Sequence, residues 1–410
     1  MTSSFTWLDH SDTERRKVLD AIDRFKETDT RDELGIARIR DGFSDLFFPG
    51  TSVLMTRARY FLFVPWIYQE LERRRVTEGI EAKVRRSEVQ LIETLGNHEG
   101  VIGRLAKGTL KRMPSNIYWL GIGAWGVRRF EGTQTDLHQV LDHHRGGQPS
   151  MRDDEGESLE KARRVWHAAL PAAPKGFPKE AALELTRGEA EYLAERIRLQ
   201  EPDSMLATVL RLGELSDVPF AWMHPRLADF PKALQTSLAH GQCFAETMHG
   251  AALLYNLMLA EASDQGELVS HFKTELDHWS TELQSRGAEL AAWRLDEFWA
   301  LAREIANVAP ATRSFVNRWL ELELWKDASK VTGHQAARSL LGLREQQLKR
   351  GRARLTNRRA LELWGGASGS GRLQYRWFTA KRLLRDIFDG LDRTKRPSSP
   401  DLDVNGAIDA

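Results

Sequence analysis

The chain has 410 residues, 41% hydrophobic and 29% charged, a balance that builds packed cores and excludes wholesale disorder. Its length suggests two or three domains. With 59 Lys+Arg against 58 Asp+Glu the net charge is only +1, so total charge predicts no polyanionic partner and any electrostatic argument must come from local distribution.

A single cysteine, Cys243, excludes an intramolecular disulfide and a thiolate zinc site and reads as core filling. The start, Met1-Thr2-Ser3-Ser4-Phe5, lacks the apolar core of a secretory signal. The longest apolar runs, Tyr60 to Tyr68 and Ala251 to Ala260, are shorter than the ~20 residues of a membrane span. A cytoplasmic protein without a membrane partner is the expectation.

Helical punctuation dominates. Ser11-Asp12-Thr13-Glu14 has capping-box spacing ahead of Val18, Leu19, Ile22 and Phe25. Thr186-Arg187-Gly188-Glu189 repeats the device ahead of Ala190, Leu193 and Ile197. Long helical patterns run through about 231–262, 267–306, 312–328, 333–352 and 372–391, and alternating strand patterns are scarce and short. The chain therefore reads as mainly α and multi-helical, with two or three packed helical domains and few short strands. Composition divides it into an N-terminal helical domain (1–145), a linker-like connection (146–180), a central helical domain (181–330), a basic C-terminal helical region (331–396) and a tail (397–410). The connection follows from Gly146-Gly147, Pro149, Pro171, Pro174 and Pro178.

Three segments carry possible chemistry. The run Thr56-Arg57-Ala58-Arg59-Tyr60-Phe61-Leu62-Phe63-Val64-Pro65-Trp66 is apolar on every side after its arginines, which predicts a buried helix kinked at Pro65. Arg57 and Arg59 stand at its mouth. Either they neutralise Asp41 and Asp45, nearby in sequence, or their guanidinium forks meet phosphate or a partner carboxylate. Asp41 and Asp45, one helical turn apart, are the only acidic pair suited to a hard cation beside those arginines, the minimum for a metal-dependent nuclease. The second segment, 84–126, places Lys111-Arg112 before a helix with Ser115 as its N-cap. Helix, basic turn and helix form a possible helix-turn-helix, although Ile117, Tyr118, Trp119, Ile122 and Trp125 make the last helix too apolar to read a groove.

The third segment is the most informative. Between Arg338 and Arg396 there are 16 Lys+Arg against 5 Asp+Glu, a surplus of +11 that leaves −10 for the remainder of a chain of net charge +1. Lys349, Arg350, Arg352, Arg354, Arg358 and Arg359 precede the glycine-rich stretch Trp364-Gly365-Gly366-Ala367-Ser368-Gly369-Ser370-Gly371-Arg372, and Tyr375-Arg376-Trp377 follows. Glycine-rich loops that open a helix expose N–H groups to phosphate, and arginines interleaved with aromatics stack on bases or clamp the nucleic-acid backbone. The loop matches neither a Walker A sequence nor a dinucleotide fingerprint.

His138, Asp142, His143, His144, Asp153 and Asp154 include metal-ligating residue types, but they fall in or beside the loop-rich connection. No nucleophile elbow, zincin motif or kinase signature is present, so no cofactor or metal is expected and a non-enzymatic role is favoured. Trp279, Trp293, Trp299, Trp319 and Trp325 lie in helical stretches, where packing is their expected role.

Several phrases together carry a resemblance: Arg31-Asp32-Glu33-Leu34-Gly35-Ile36, Leu46-Phe47-Phe48-Pro49-Gly50-Thr51-Ser52, Thr56 to Phe61, Pro65-Trp66, Gly250 to Asn256 and Tyr375-Arg376-Trp377. Across about residues 5–395 the chain resembles an uncharacterised bacterial family of about 400 residues, whose members sit among anti-phage defence genes. The resemblance brings no catalytic residues. It implies nucleic-acid work within a protein complex. The functional expectation is an accessory subunit that binds nucleic acid through Lys349, Arg350, Arg352, Arg354, Arg358, Arg359, Arg372 and Arg376, with Arg57, Arg59, Lys111 and Arg112 as further contacts. The alternative is a scaffold whose basic region docks on an acidic partner.

Overall fold

The computed structural model describes residues 32–74, 79–143 and 165–392. Among them stand fifteen α-helices, short 3-10 turns and one isolated antiparallel bridge, Arg128 with Trp166, in place of any sheet. The helices α1 (Ala37–Phe47), α2 (Tyr60–Arg73), α3 (Ile80–Leu95), α4 (Pro114–Ala124) and α5 (Gln134–His143) come first. They are followed by α6 (Arg187–Gln200), α7 (Met205–Leu212) and the long α8 (Lys232–Ala262). Next are α9 (Gly266–Ser285), α10 (Gly287–Ala291), α11 (Leu295–Ile305) and α12 (Pro310–Leu320). The described set closes with α13 (Gln335–Lys349), α14 (Arg358–Glu362) and α15 (Trp377–Asp392). No helix among the described residues is long and apolar enough to cross a membrane.

Local chemistry explains where the helices start and stop. The capping box at α6 is complete: Thr186 Oγ1 accepts from Glu189 N, and Glu189 returns an acceptor to Thr186 N at 2.9 Å. The matching sequence at Ser11 lies outside the described residues. The pattern over 267–306 resolves into three helices, interrupted at Arg286 and around Arg294. The run 333–352 ends at Lys349, where Arg350 takes φ +51°. The pattern from 372 becomes helical only at Trp377, because Tyr375 (φ +50°) and Arg376 (φ +68°) hold left-handed backbone that an α-helix does not tolerate.

The described residues gather into two compact units. One holds 32–43 and 235–375; the other holds the described parts of 44–234 and 376–392. The segments 181–330 and 331–396 thus each contribute to both, dividing at 234/235 and 375/376.

In the first unit α8 and α9 pack where Gly250 meets the Trp279 ring, with no space for a Cβ. The indoles of Trp279 and Trp319 donate to the carbonyls of Glu246 (2.8 Å) and Thr247 (3.0 Å) on α8. Phe298 stacks on Phe43 and Phe244, and the wholly buried Tyr375 donates to Gly241 O at 2.7 Å. Of the tryptophans expected in helical stretches, Trp279, Trp299 and Trp319 are buried, and Trp293 is half-buried in the connection between α10 and α11. Trp293 and Trp299 donate to His240 and Asn317, and the Trp325 side chain lies outside the described residues. Cys243 is buried and free, and burial pushes its thiol up to about 11.

In the second unit α2 is buried on every side from Tyr60 through Tyr68 and carries Pro65 within it. It packs on α3 and α4, and Phe61 stacks on Trp125 at 3.7 Å. Helix α15 lies along α6, close enough that Gly390 faces Ala190 and Leu185 without room for a side chain. The connection from α3 to α4 corrects the helix-turn-helix expectation. It runs through 96–113, far longer than the ~3–4 residues of that motif, and α4 buries Tyr118, Trp119 and Ile122. Ser115 is not the N-cap: Met113 holds that position, with Pro114 after it and Asn116 Oδ1 accepting from Met113 N at 3.1 Å.

Ser115 N instead donates to Glu88 Oε1 at 2.6 Å. Its hydroxyl is met by Gln134 Nε2 at 2.9 Å, which also reaches Tyr68 OH at 2.8 Å, and Tyr68 OH lies 2.8 Å from His138 Nε2. This buried polar chain ties α3, α4, α5 and α2 together. Burial raises the Glu88 carboxyl to about 7, against the smaller opposing effect of its bonds to Ser115. The folded state then holds a proton that the unfolded chain releases near pH 4.5, so Glu88 favours folding below that value and the benefit is lost as pH rises toward 7. Glu88→Gln is expected to flatten the stability profile between those pH values and to raise stability at pH 8 by on the order of 3 kcal/mol. Denaturant titrations of both proteins across this range measure it; parallel profiles would show that Glu88 is charged in the fold at neutral pH.

Candidate nucleic-acid interface

The basic segment takes its shape from a carboxylate. Glu345 on α13 is fully buried. Its Oε1 accepts from Tyr255 OH (2.5 Å), Arg354 N (2.9 Å) and Lys349 Nζ (3.3 Å), and its Oε2 accepts from Leu355 N at 3.0 Å. The chain after α13 is thereby folded back on its own helix. Asn357 finishes the turn, donating to Gly351 O at 2.7 Å while its Oδ1 caps α14 through Ala360 N at 3.1 Å.

Beneath the turn, Glu33 receives Lys349 Nζ and, at 3.0 Å, Arg354 Nη1. Burial pushes the Glu33 carboxyl up, but hydrogen bonding and charge from Lys349, then Arg354, more than offset this and hold it below its ordinary value. Lys349 also lies over the Tyr255 ring and bonds its hydroxyl at 2.8 Å.

Twelve cations were singled out from the sequence, and the structure sorts them into two sets. Lys349 and Arg354 are occupied by Glu33. Arg372 pairs with Glu282 and Arg376 with Asp45, and Arg376 Nη1 also donates to Thr51 O at 2.9 Å. Arg57 grips Asp386 with Nε at 2.9 and 3.0 Å, and Asp386 also accepts from Ala58 N at 2.7 Å. Arg59 is buried, bonded to Glu189 at 2.7 Å and Ala182 O at 2.9 Å. These six serve the fold. Arg350, Arg352, Arg358 and Arg359 are exposed on the turn and α14; among the described residues only Arg358 of the four has a carboxylate in reach, Glu362 at 3.6 Å. Lys111 and Arg112, in the second unit, also face solvent ahead of α4.

Several further expectations are corrected. Arg57 and Arg59 do not neutralise Asp41 and Asp45: Asp41 pairs with its neighbour Arg40 at 2.9 Å and Asp45 with Arg376. Each of the four groups named for a nuclease centre thus has a different partner, and no group of three or more His, Cys, Asp or Glu among the described residues is placed to hold a metal. The glycine-rich loop does not offer its centre to phosphate. Ser368 N donates to Asn256 Oδ1 and Asn256 Nδ2 donates back to Ser368 O, both at 2.9 Å, with Asn256 fully buried. His138 is committed to Tyr68 and Asp142 accepts from Ile80 N; His144, Asp153 and Asp154 lie outside the described residues.

Sequence reading missed the residues that build the turn. Glu33, Tyr255 and Glu345 are separated by up to 312 positions in the chain, and the only local signal was the isolated Glu345 within a basic stretch. It also missed that Arg344 is a structural clamp. Its buried guanidinium bonds Leu34 O (2.9 Å), Gly35 O (3.2 Å), Ala311 O (3.3 Å) and Thr312 Oγ1 (2.9 Å) and lies over the Phe315 ring.

The chain belongs to a family of unknown function, DUF6361. Its family model matches residues 2–390, almost the whole sequence. No curated protein and no solved structure matches the chain. Family membership is thus established without a reaction or ligand attached, and the functional argument rests on the arrangement of side chains.

Glu33→Gln removes the charge shared by Lys349 and Arg354 while keeping the shape. With two cations left under-compensated, the variant is expected to lose roughly 3 kcal/mol of stability at neutral pH. Because the Glu33 carboxyl titrates below its ordinary value in the fold, its contribution is present above pH 4.5 and is lost as pH falls through the folded value. The gap between wild type and variant should therefore close in acid. A gap that is unchanged by acid would contradict the pairing.

Proposed function

We propose that the chain is a non-enzymatic subunit that binds nucleic acid through phosphate contacts made by Arg350, Arg352, Arg358 and Arg359. The observation that carries this reading is the sorting above: the chain's own carboxylates and carbonyls consume most of the basic segment, yet four arginines within ten residues are held outward on an ordered turn. Guanidinium forks suit phosphate oxygens, and a turn fixed before binding avoids much of the ordering cost. Lys111 and Arg112 are a further solvent-facing basic step on the second unit. The resemblance drawn from the sequence extends the proposal to a bacterial anti-phage defence complex.

A docking role is the second reading. Leu343 and Leu348 on α13 and Leu363 after α14 are exposed beside the arginines, and an apolar rim of this kind suits an acidic protein partner.

Binding measured against salt separates the two. Four phosphate contacts predict a slope of log Kobs on log salt of about −3.6 for duplex and about −2.8 for single strands. Reversing all four charges (Arg350→Glu, Arg352→Glu, Arg358→Glu, Arg359→Glu) should abolish that dependence and weaken binding equally for unrelated sequences. These side chains bear no core contact, so the variant should fold. Absence of wild-type binding to DNA and RNA, single- and double-stranded, at low salt would refute the nucleic-acid reading.

A further inference from the structure

A second basic feature lies in the other unit and was not visible as a charge run. Helix α4 ends at Gly123-Ala124, and over the following Trp125-Gly126-Val127-Arg128-Arg129 the backbone turns sharply because Gly126 takes φ +63°. The N–H groups of Val127 and Arg128 both return to Ile122 O at 3.0 Å. The chain then runs beside 165–167, with Arg129 N donating to Val165 O and His167 N to Val127 O, both at 2.8 Å. An open cavity of about 490 Å³ lies against this turn, lined among others by Arg128, Arg129, Arg196, Gln200 and Glu131.

The arginines of this cavity differ from those that serve the fold. Arg196 on α6 is buried, yet it bonds no carboxylate among the described residues: its Nε donates to Trp125 O at 3.3 Å and its Nη1 lies 3.2 Å from His167 Nε2. A guanidinium only donates, so His167 Nε2 must accept and its proton sits on Nδ1. Arg128 is half-buried over the Trp119 ring at 4.5 Å and, among the described residues, bonds only the carbonyls of Phe130 and Gly132, its buried Nε finding no partner there. Arg129 is exposed and forms no ion pair with any described residue. A Cβ at Gly123 or Gly126 would crowd the Nη2 of Arg128 or Arg196, and Gly126 also supplies the left-handed backbone of the turn.

Positive charges held in part-buried positions without counter-charge are unfavourable unless an anion completes them. Among the described residues Glu131 is the only carboxylate lining the cavity, and it is exposed. The volume exceeds the needs of one phosphate and falls within the range of small-molecule sites. We infer that this cavity binds a compact polyphosphate, such as pyrophosphate or the phosphate chain of a nucleoside di- or triphosphate, with Arg128, Arg129 and Arg196 as its cationic walls and Gln200 as a neutral donor. His167 positions Arg196 by accepting from it. The site is separate in residues from the arginines of 350–359 and does not depend on the function proposed for them.

Calorimetric titration of the full chain with sodium pyrophosphate at low ionic strength tests it. One equivalent should bind, more tightly than inorganic phosphate, and a nucleoside triphosphate should compete. Arg129→Glu, a surface change compatible with folding, should weaken binding about tenfold or more, because a charge-assisted contact becomes repulsive. Glu131→Gln should tighten binding by removing a like charge from the rim, an effect that general damage to the fold would not produce. The fourfold charge reversal at 350–359 should leave pyrophosphate binding unchanged. No heat or competition at low salt, indifference to Arg129→Glu, loss of binding in the 350–359 variant, or displacement of pyrophosphate by a short oligonucleotide at equal phosphate concentration would each overturn the assignment.

Discussion

Glu345 is a carboxylate with no access to water, and its two oxygens together accept from two backbone amides, a phenol and an ammonium group. A buried charge survives only when such donors replace its hydration. The requirement works in both directions. The donors satisfy Glu345, and Glu345 fixes the backbone of Arg354 and Leu355, which sets the direction of the chain from Arg350 to Asn357. The presentation of four exposed arginines follows from that single anchor, as does the positive φ at Arg350, where α13 stops so that the turn can return to it.

The same logic recurs through an architecture built almost entirely of helices. Helices satisfy their own backbone, so the connections between them must find partners elsewhere. Here the partners are side chains from remote positions. Asp386 takes the amide of Ala58, Asn256 brackets Ser368, and Arg344 collects carbonyls from 34–35 and 311. Tryptophan indoles do likewise, with Trp66 donating to Pro171 O, Trp125 to Pro49 O and Trp377 to Val218 O. These three tryptophans each use one ring for both apolar burial and loop fixation.

This division of labour sets what was legible in the sequence. The helical class, the capping box at Thr186, the buried helix from Tyr60 and the packing role of Trp279, Trp299 and Trp319 all follow from local periodicity and spacing, and all are present. Pairing was not legible, because Arg57 with Asp386 or Lys349 with Glu33 joins residues about 300 positions apart. A local surplus of +11 therefore overstated the charge available to a ligand: the acids that neutralise it lie elsewhere in the sequence. The reverse error concerns Arg128, Arg129 and Arg196. Two adjacent arginines after α4 and a third on α6 make no run in sequence, and the Gly126 turn brings them to one cavity.

Amide hydrogen exchange tests the central claim most directly. If Glu345 anchors the turn, the amides of Arg354 and Leu355 should be strongly protected although they lie in a surface connection, whereas those of Gly351 and Arg352 should exchange rapidly. In Glu345→Ala, protection at 354 and 355 should vanish while that of α8 persists, which shows that the unit remains folded. Rapid exchange at Arg354 and Leu355 in the wild type, or protection there that survives the substitution, would contradict the account.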